Sequence, residues 1–160
     1  MQDKGIQSFL SASAYVLETM MRISPSTGTV GRQPLLFPDD HIGLAIGIRG
    51  KMRGGVVFDF PKTTALGIVS GMMGGFPVTG FDDMAKSAIA ELGNMISGNA
   101  SIRLSEMGIL IDITTPRFIE NGRMEPEADL LLAAGEPHCA ELSPEGLGAF
   151  RLFVDLRSDS

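Results

Sequence analysis

The stretch from Ile42 to Phe60, IGLAIGIRGKMRGGVVFDF, limits what this chain can fold into more than any other. Ile42, Leu44, Ile46 and Ile48 recur at every second residue, with Gly43, Ala45 and Gly47 between them. One face of such a strand is apolar, and the other lies close against something. Gly50 to Gly54 marks the turn, and GVVFDF from Gly55 to Phe60 is the returning strand. A β-hairpin with an apolar face needs a layer to cover it, and the flanking sequence offers helices.

Ile6, Phe9, Leu10, Ala14, Leu17 and Met21 share one side of a first helix, Ile6 to Met21, which stops before Ser24-Pro25. Val30 to Phe37 reads as an edge strand, weakened by Pro34, which has no N–H for a ladder. Pro61 suits the first position of a helix, and Thr63 to Met73 follows as a short one closed by Gly74-Gly75. Asp82 or Asp83 can cap a long helix that continues to about Met107, with Gly108 as its stop. Within it, Ala85, Ala88, Ile89, Leu92, Met95 and Ile96 form the stripe expected to face the sheet. Leu110 to Ile113 reads as strand, extending past Pro116 through Phe118 and Ile119. Asn121-Gly122 gives a turn, and Met124 to Ala134 fits either strand or a helical turn. Cys139 to Leu142 and Ala149 to Leu156 make a last hairpin, with Phe150, Leu152, Val154 and Leu156 on one face. This order predicts a single domain over residues 1–160, an α+β or α/β two-layer sandwich with a largely antiparallel sheet.

A formal charge of −6, from 13 basic and 19 acidic side chains, repels a phosphate backbone, and no basic stripe offsets it. Nucleic acid is therefore not an expected partner. The single cysteine, Cys139, excludes an intrachain disulfide framework. No apolar run reaches the roughly 18 residues of a membrane span, and no basic-then-apolar leader opens the chain. Cytoplasm is the expected compartment. His138 beside Cys139 makes a poor zinc pair, since adjacent ligands have no second pair nearby. A strand-start histidine next to a small buried thiol is the better account.

Chemistry concentrates in the long helix, where SAIAELGNMISGN spans Ser87 to Asn99. Glu91 and Asn94 stand three residues apart and so share a surface, with Ser87 one turn before Glu91 and Gly98 one turn after Asn94. An asparagine inside a helix costs roughly 0.5 kcal/mol relative to alanine, and packing does not require one here. The three polar groups are expected about a quarter turn from the apolar stripe, at the margin of the buried face. No histidine or lysine is placed to activate Ser87, Asp82-Asp83 is explained by capping, and GMMGG lacks a following Lys-Ser/Thr pair. A carboxamide donates and accepts hydrogen bonds and can hold a water molecule in a defined direction. A neighbouring carboxylate can anchor a cation of a partner. By itself Glu-x-x-Asn is a weak pattern, equally at home on a solvated helix face.

At these residues the chain resembles the CheC/CheX/FliY family of chemotaxis phosphatases, most closely its single-site CheX branch. The family motif Asp/Ser-x-x-x-Glu-x-x-Asn is met by Ser87, Glu91 and Asn94 in SAIAELGN, continued by MISGNA. The likeness extends to FLSASAYVLETM, the IGIRGKMRGGVVFDF hairpin and PKTTALGIVSGMMG, and is looser in the C-terminal third. It implies a CheC-like α+β fold, a two-layer sandwich with long helices on one face of the sheet. It implies a protein phosphatase acting on the aspartyl phosphate of a phosphorylated CheY-like response regulator. The cofactor would be none of the chain's own, the Mg²⁺ being bound by the regulator. Glu91 would pair with the regulator's lysine, and Asn94 would position the attacking water. Ser87 would support them, while Gly98 and Asn99 would let the helix pack tightly and bond a neighbouring loop.

Double-site members repeat the motif in their first helix. Here Glu18 lies under Glu91, but Met21 falls where Asn94 stands, so one site is expected. Lys86, Arg103, Lys51 and Arg53 are candidates for charge complementary to an acidic regulator. The resemblance also implies a homodimer through sheet edges, with the Ile42–Phe60 hairpin offering one. The competing reading is a non-catalytic adaptor that binds a response regulator or another signalling protein without shortening its phosphorylated lifetime. The open question is the setting of Glu91 and Asn94. An exposed face suits a macromolecular substrate, and a closed pocket suits a small one.

Overall fold

The Ile42–Phe60 hairpin sits in the middle of its sheet. The computed structural model describes residues 2–120 and 136–158, so the Asn121-Gly122 turn and the Met124–Ala134 segment lie outside the described residues. In chain order the elements are α1 (Gln2–Met21), β1 (Ser26–Thr27), β2 (Gly31–Arg32), β3 (His41–Gly50), β4 (Met52–Pro61), α2 (Lys62–Met72), α3 (Asp83–Glu106), β5 (Ile111–Ile113), β6 (Arg117–Ile119), β7 (His138–Ser143) and β8 (Phe150–Ser158). The strands form one sheet in the order β1-β7-β8-β4-β3-β5, with β2 also on β7 and β6 also on β3, and every pairing is antiparallel. This is the expected α+β sandwich. The hairpin is not an edge, because β4 pairs with β8 and β3 pairs with β5 and β6.

Alternation works out strand by strand. Ile42, Leu44, Ile46 and Ile48 of β3, Val56, Phe58 and Phe60 of β4, and Phe150, Leu152, Val154 and Leu156 of β8 all enter one core. Ile6, Phe9, Leu10, Leu17, Ile68, Ile89, Leu92, Ile96 and Leu104 meet them from the three helices. Phe60 and Phe150 approach to 4.8 Å between ring centroids, closing the middle of that layer. Truncating a side chain as enclosed as Phe58 would cost about 3–5 kcal/mol through lost burial and the void left behind. Alpha helices α1 and α3 lie side by side over the sheet, and α2 packs at their flank.

Three boundaries differ from the sequence reading. Val30 to Phe37 is no continuous edge strand. Only Ser26–Thr27 and Gly31–Arg32 pair with β7, and the chain leaves the ladder before Pro34. Leu35 and Phe37 instead fold onto the far side of the sheet, against Ala45, Val57, Ile119, Cys139 and Phe153. Pro61 ends β4 as the N-cap of α2 rather than beginning the helix. The strand expected across Pro116 is split into β5 and β6. Ile48 faces Ile113 but Ala45 faces Arg117, so three residues stand opposite Gly47 and Ile46. That extra residue is a bulge, and Thr114 secures it by donating its N–H to the Gly47 carbonyl (2.9 Å) and accepting the Gly47 N–H at Oγ1 (2.8 Å).

Helix α3 keeps both expected ends. Asp82 caps it, its carboxylate accepting the Ala85 N–H at 2.9 Å, and Gly108 takes a left-handed φ of 80° just past its end. Its 24 residues make a rod of about 36 Å.

Candidate functional site

Ser87, Glu91 and Asn94 all project from α3 into solvent. At 100° per residue the three, with Gly98, fall within about 60° of one another. The buried side of the helix is Ala85, Ile89, Leu92, Gly93, Ile96, Ser97, Ala100 and Leu104, nearly opposite. The polar residues therefore occupy the outward face and not the margin of the buried one. The stripe read from the sequence stopped at Ile96 and left out Gly93, Ser97 and Ala100, whose small side chains bury without a hydrophobic signature. Of the two serines in SAIAELGNMISGN, Ser87 faces outward and Ser97 is fully enclosed.

Among the described residues, Ser87, Glu91 and Asn94 have no hydrogen-bond or ion-pair partner. A carboxylate and a carboxamide one turn apart on a capped, sheet-backed helix thus hold their full bonding capacity for an incoming molecule. Neither of the two clefts bordered by described residues includes them. The cleft of about 570 Å³ between α1 and the C-terminal end of α3 is bordered by Ser8, Ser11, Arg103 and Glu106, beyond Asn94. An open convex helix face suits a macromolecule that brings its own cleft.

The two remaining motif positions behave differently from expectation. Among the described residues Asn99 bonds no loop. Its Oδ1 accepts the Arg103 Nε–H at 2.7 Å, and the Arg103 guanidinium lies 5.9 Å from the centroid of the Tyr15 ring. Asn99 thereby helps fasten α3 to α1. Among the described residues Gly98 does not serve tight packing either, since a Cβ built there meets none of their atoms within 4 Å. The glycine that α3 needs for close approach is Gly93, where a Cβ would collide with Leu44 Cδ2 of β3. Gly98 has a helical backbone with no positive φ and costs the helix about 1 kcal/mol relative to alanine.

The basic residues proposed for docking are partly committed within the chain. Lys86 pairs with Glu120 at 3.4 Å across a partly exposed surface, Arg103 is held by Asn99, and Arg53 also has a partner. Exposed Lys51 stands at the hairpin tip, its N–H donated to the Leu110 carbonyl beyond the C-terminal end of α3. In α1, Glu18 is exposed, but Met21 turns its thioether toward α2, where it lies 2.6 Å from the position a Cβ on Gly71 would take. Among the described helices the outward Glu–Asn pair occurs once, on α3.

Sequence reasoning missed a second polar cluster, on the sheet face away from the helices. Asp59 is 1% exposed and accepts from Arg151 Nε at 2.9 Å and pairs with His41 Nδ1 at 2.7 Å. Arg151 also donates to the Leu36 carbonyl at 3.0 Å, fixing the segment that leaves the ladder. The available signal was a lone acid in VVFDF and a lone base in FRLFV, each on the face opposite the core residues. His138 opens β7 and Cys139 is a buried free thiol, as the sequence indicated. Among the described residues, no helix is long and apolar enough to cross a membrane, and no three metal-ligating side chains converge.

Comparison with known proteins adds the family. The model of the chemotaxis phosphatase CheX family matches residues 42–131. The CheY-P phosphatase CheX of Thermotoga maritima is 35% identical over 118 residues, covering 73% of this chain and 76% of that protein. The chemotaxis protein CheX of Desulfovibrio desulfuricans superposes with a TM-score of 0.79 at 25% identity, covering 96% of this chain and 99% of the other. A chain of the CheX–CheY–BeF3–Mg²⁺ complex from Borrelia burgdorferi shares the fold, with a TM-score of 0.73 at 24% identity over 96% of this chain and 97% of that one.

Proposed function

The chain belongs to the CheX family of chemotaxis phosphatases, and from that premise we propose that it hydrolyses the aspartyl phosphate of a CheY-like response regulator. The observation that carries the reading is the Glu91–Asn94 pair on the outward face of α3, with no partner among the described residues. The regulator presents the phosphoryl group in its own cleft with its own Mg²⁺, which neutralises charge on the phosphoryl oxygens. Glu91 pairs with the lysine beside that cleft and sets the angle of approach. Asn94 enters and holds one water between its carboxamide and the phosphorus. Water attacks in line, the bond from phosphorus to the aspartyl oxygen breaks, and inorganic phosphate leaves a free carboxylate behind. An asparagine has no usable proton affinity, so its contribution is position and not base catalysis. Ser87, one turn from Glu91, supports the docked face.

The assay is the lifetime of a phosphorylated CheY-type regulator with and without the chain. Wild type shortens it, and Asn94→Ala returns it to the regulator's own rate with the fold intact. Binding without any shortening by wild type would identify the adaptor instead, and full activity in Asn94→Ala would remove the mechanism. The site acts in the cytoplasm, where such regulators reside. A homodimer, if it pairs strand to strand, forms at the β1/β2 or the β5/β6 margin, since the central hairpin has no free side.

A further inference from the structure

Gly98 is a residue the protein's own interior does not ask for. It lies in the middle of a 24-residue helix, has no positive φ, and leaves open space where a Cβ would stand. It is one turn past Asn94 on the outward line that carries Ser87 and Glu91. Exposed apolar side chains bracket that line, Met84 at 52% and Ile102 at 59% exposure, five helical turns apart on one azimuth. The interior explains Gly93 on the opposite face fully, through Leu44. Among the described residues, nothing inside explains Gly98.

We infer that Gly98 is the clearance through which the phosphorylated regulator seats on α3: bare backbone beside Asn94 lets the rim of the regulator's cleft reach the helix. This rests on the phosphatase reading above. The reason is reach. An asparagine carboxamide stands only one carbon beyond Cβ, so it meets a phosphoryl group inside another protein's cleft only if that protein's surface comes down onto the helix backbone. A side chain at Gly98 holds the surface off by about the width of a methyl group. A displacement near 1 Å at a reacting centre can cost on the order of 100-fold in rate. Met84 and Ile102 then contact the regulator on either side of the gap. Gly98 is thus a positioning residue that touches neither water nor phosphorus.

The test uses Gly98→Ala, Gly98→Leu and, as the inward control, Gly93→Ala. Two readouts are taken: turnover of acetyl-phosphate-labelled CheY, and binding of a CheY receiver domain loaded with BeF3 and Mg²⁺. Gly98→Ala should raise the thermal midpoint by about 2–4 °C while weakening binding and raising KM about tenfold. Gly98→Leu should abolish turnover and binding with the helix content unchanged. Gly93→Ala should lower the midpoint and lose activity only as it unfolds. A more stable yet weaker enzyme is an outcome that a packing role for Gly98 cannot produce. Wild-type binding and turnover in both Gly98 variants would overturn the inference. If wild type binds the loaded receiver without turnover, the phosphatase reading fails while the binding arm still decides Gly98. Absence of wild-type binding overturns both.

Discussion

Two polar constellations of this molecule are built from similar groups and treated in opposite ways. On the far face of the sheet, the Asp59 carboxylate is enclosed and answered by Arg151 and His41, and Arg151 in turn holds Leu36. On the outward face of α3, Glu91 and Asn94 stand in solvent with no partner among the described residues. Removing water from a carboxylate demands compensation, which Arg151 and His41 supply within the chain. Glu91 and Asn94 are exposed, so solvent can meet their bonding needs and a docking protein could displace it. The first cluster secures architecture, and the second is the one the proposed function assigns to a partner.

Variants that reverse these roles test the contrast. The largest effect is expected from Glu91→Lys, which sets two cations against each other at the docking contact. Activity on phosphorylated regulator should fall about 1,000-fold, near 4 kcal/mol, with the denaturation midpoint unmoved. A parallel loss of stability would mean that Glu91 has a structural role after all. Asp59→Ala should do the converse. It strands Arg151 and His41 and costs about 3 kcal/mol in urea unfolding, while molecules that remain folded keep their activity. Lys86→Ala removes a partly exposed pair with Glu120 and should change stability by about 0.5 kcal/mol or less.

The smallest effect concerns Cys139. Burial pushes its thiol above the ordinary 9.0; Arg151 opposes the rise, and Asp59 and Glu141 add to it. A folded value above the unfolded one gives a contribution present in full below pH 9.0 and lost as pH climbs through the folded value. Wild type should therefore lose stability in the alkaline range, and Cys139→Ala should lose less over the same range in chemical denaturation.

Local rules carried far in this chain. Alternation located β3, β4 and β8, the Asp82 cap and Gly108 stop bounded α3, and spacing put Glu91 beside Asn94 before any coordinates. What local rules could not supply is who sits next to whom. Asp59 and Arg151 are 92 positions apart, and only the β4–β8 pairing brings them together. The same pairing moves the Ile42–Phe60 hairpin from margin to centre. Hydropathy alone sets Asn94 at the margin of the buried face because glycine, serine and alanine line much of the inner side of α3, and burial of small residues leaves little trace in it. Gly98 looked like its neighbour Gly93, and only the space around each separates them.

Met21 lodges against α2 at the position where the double-site pattern would place a second asparagine, which under the proposed function sets the valency of the chain at one. On the proposed reading each polypeptide engages one regulator at a time, and titration against a loaded receiver should end at equimolar ratio.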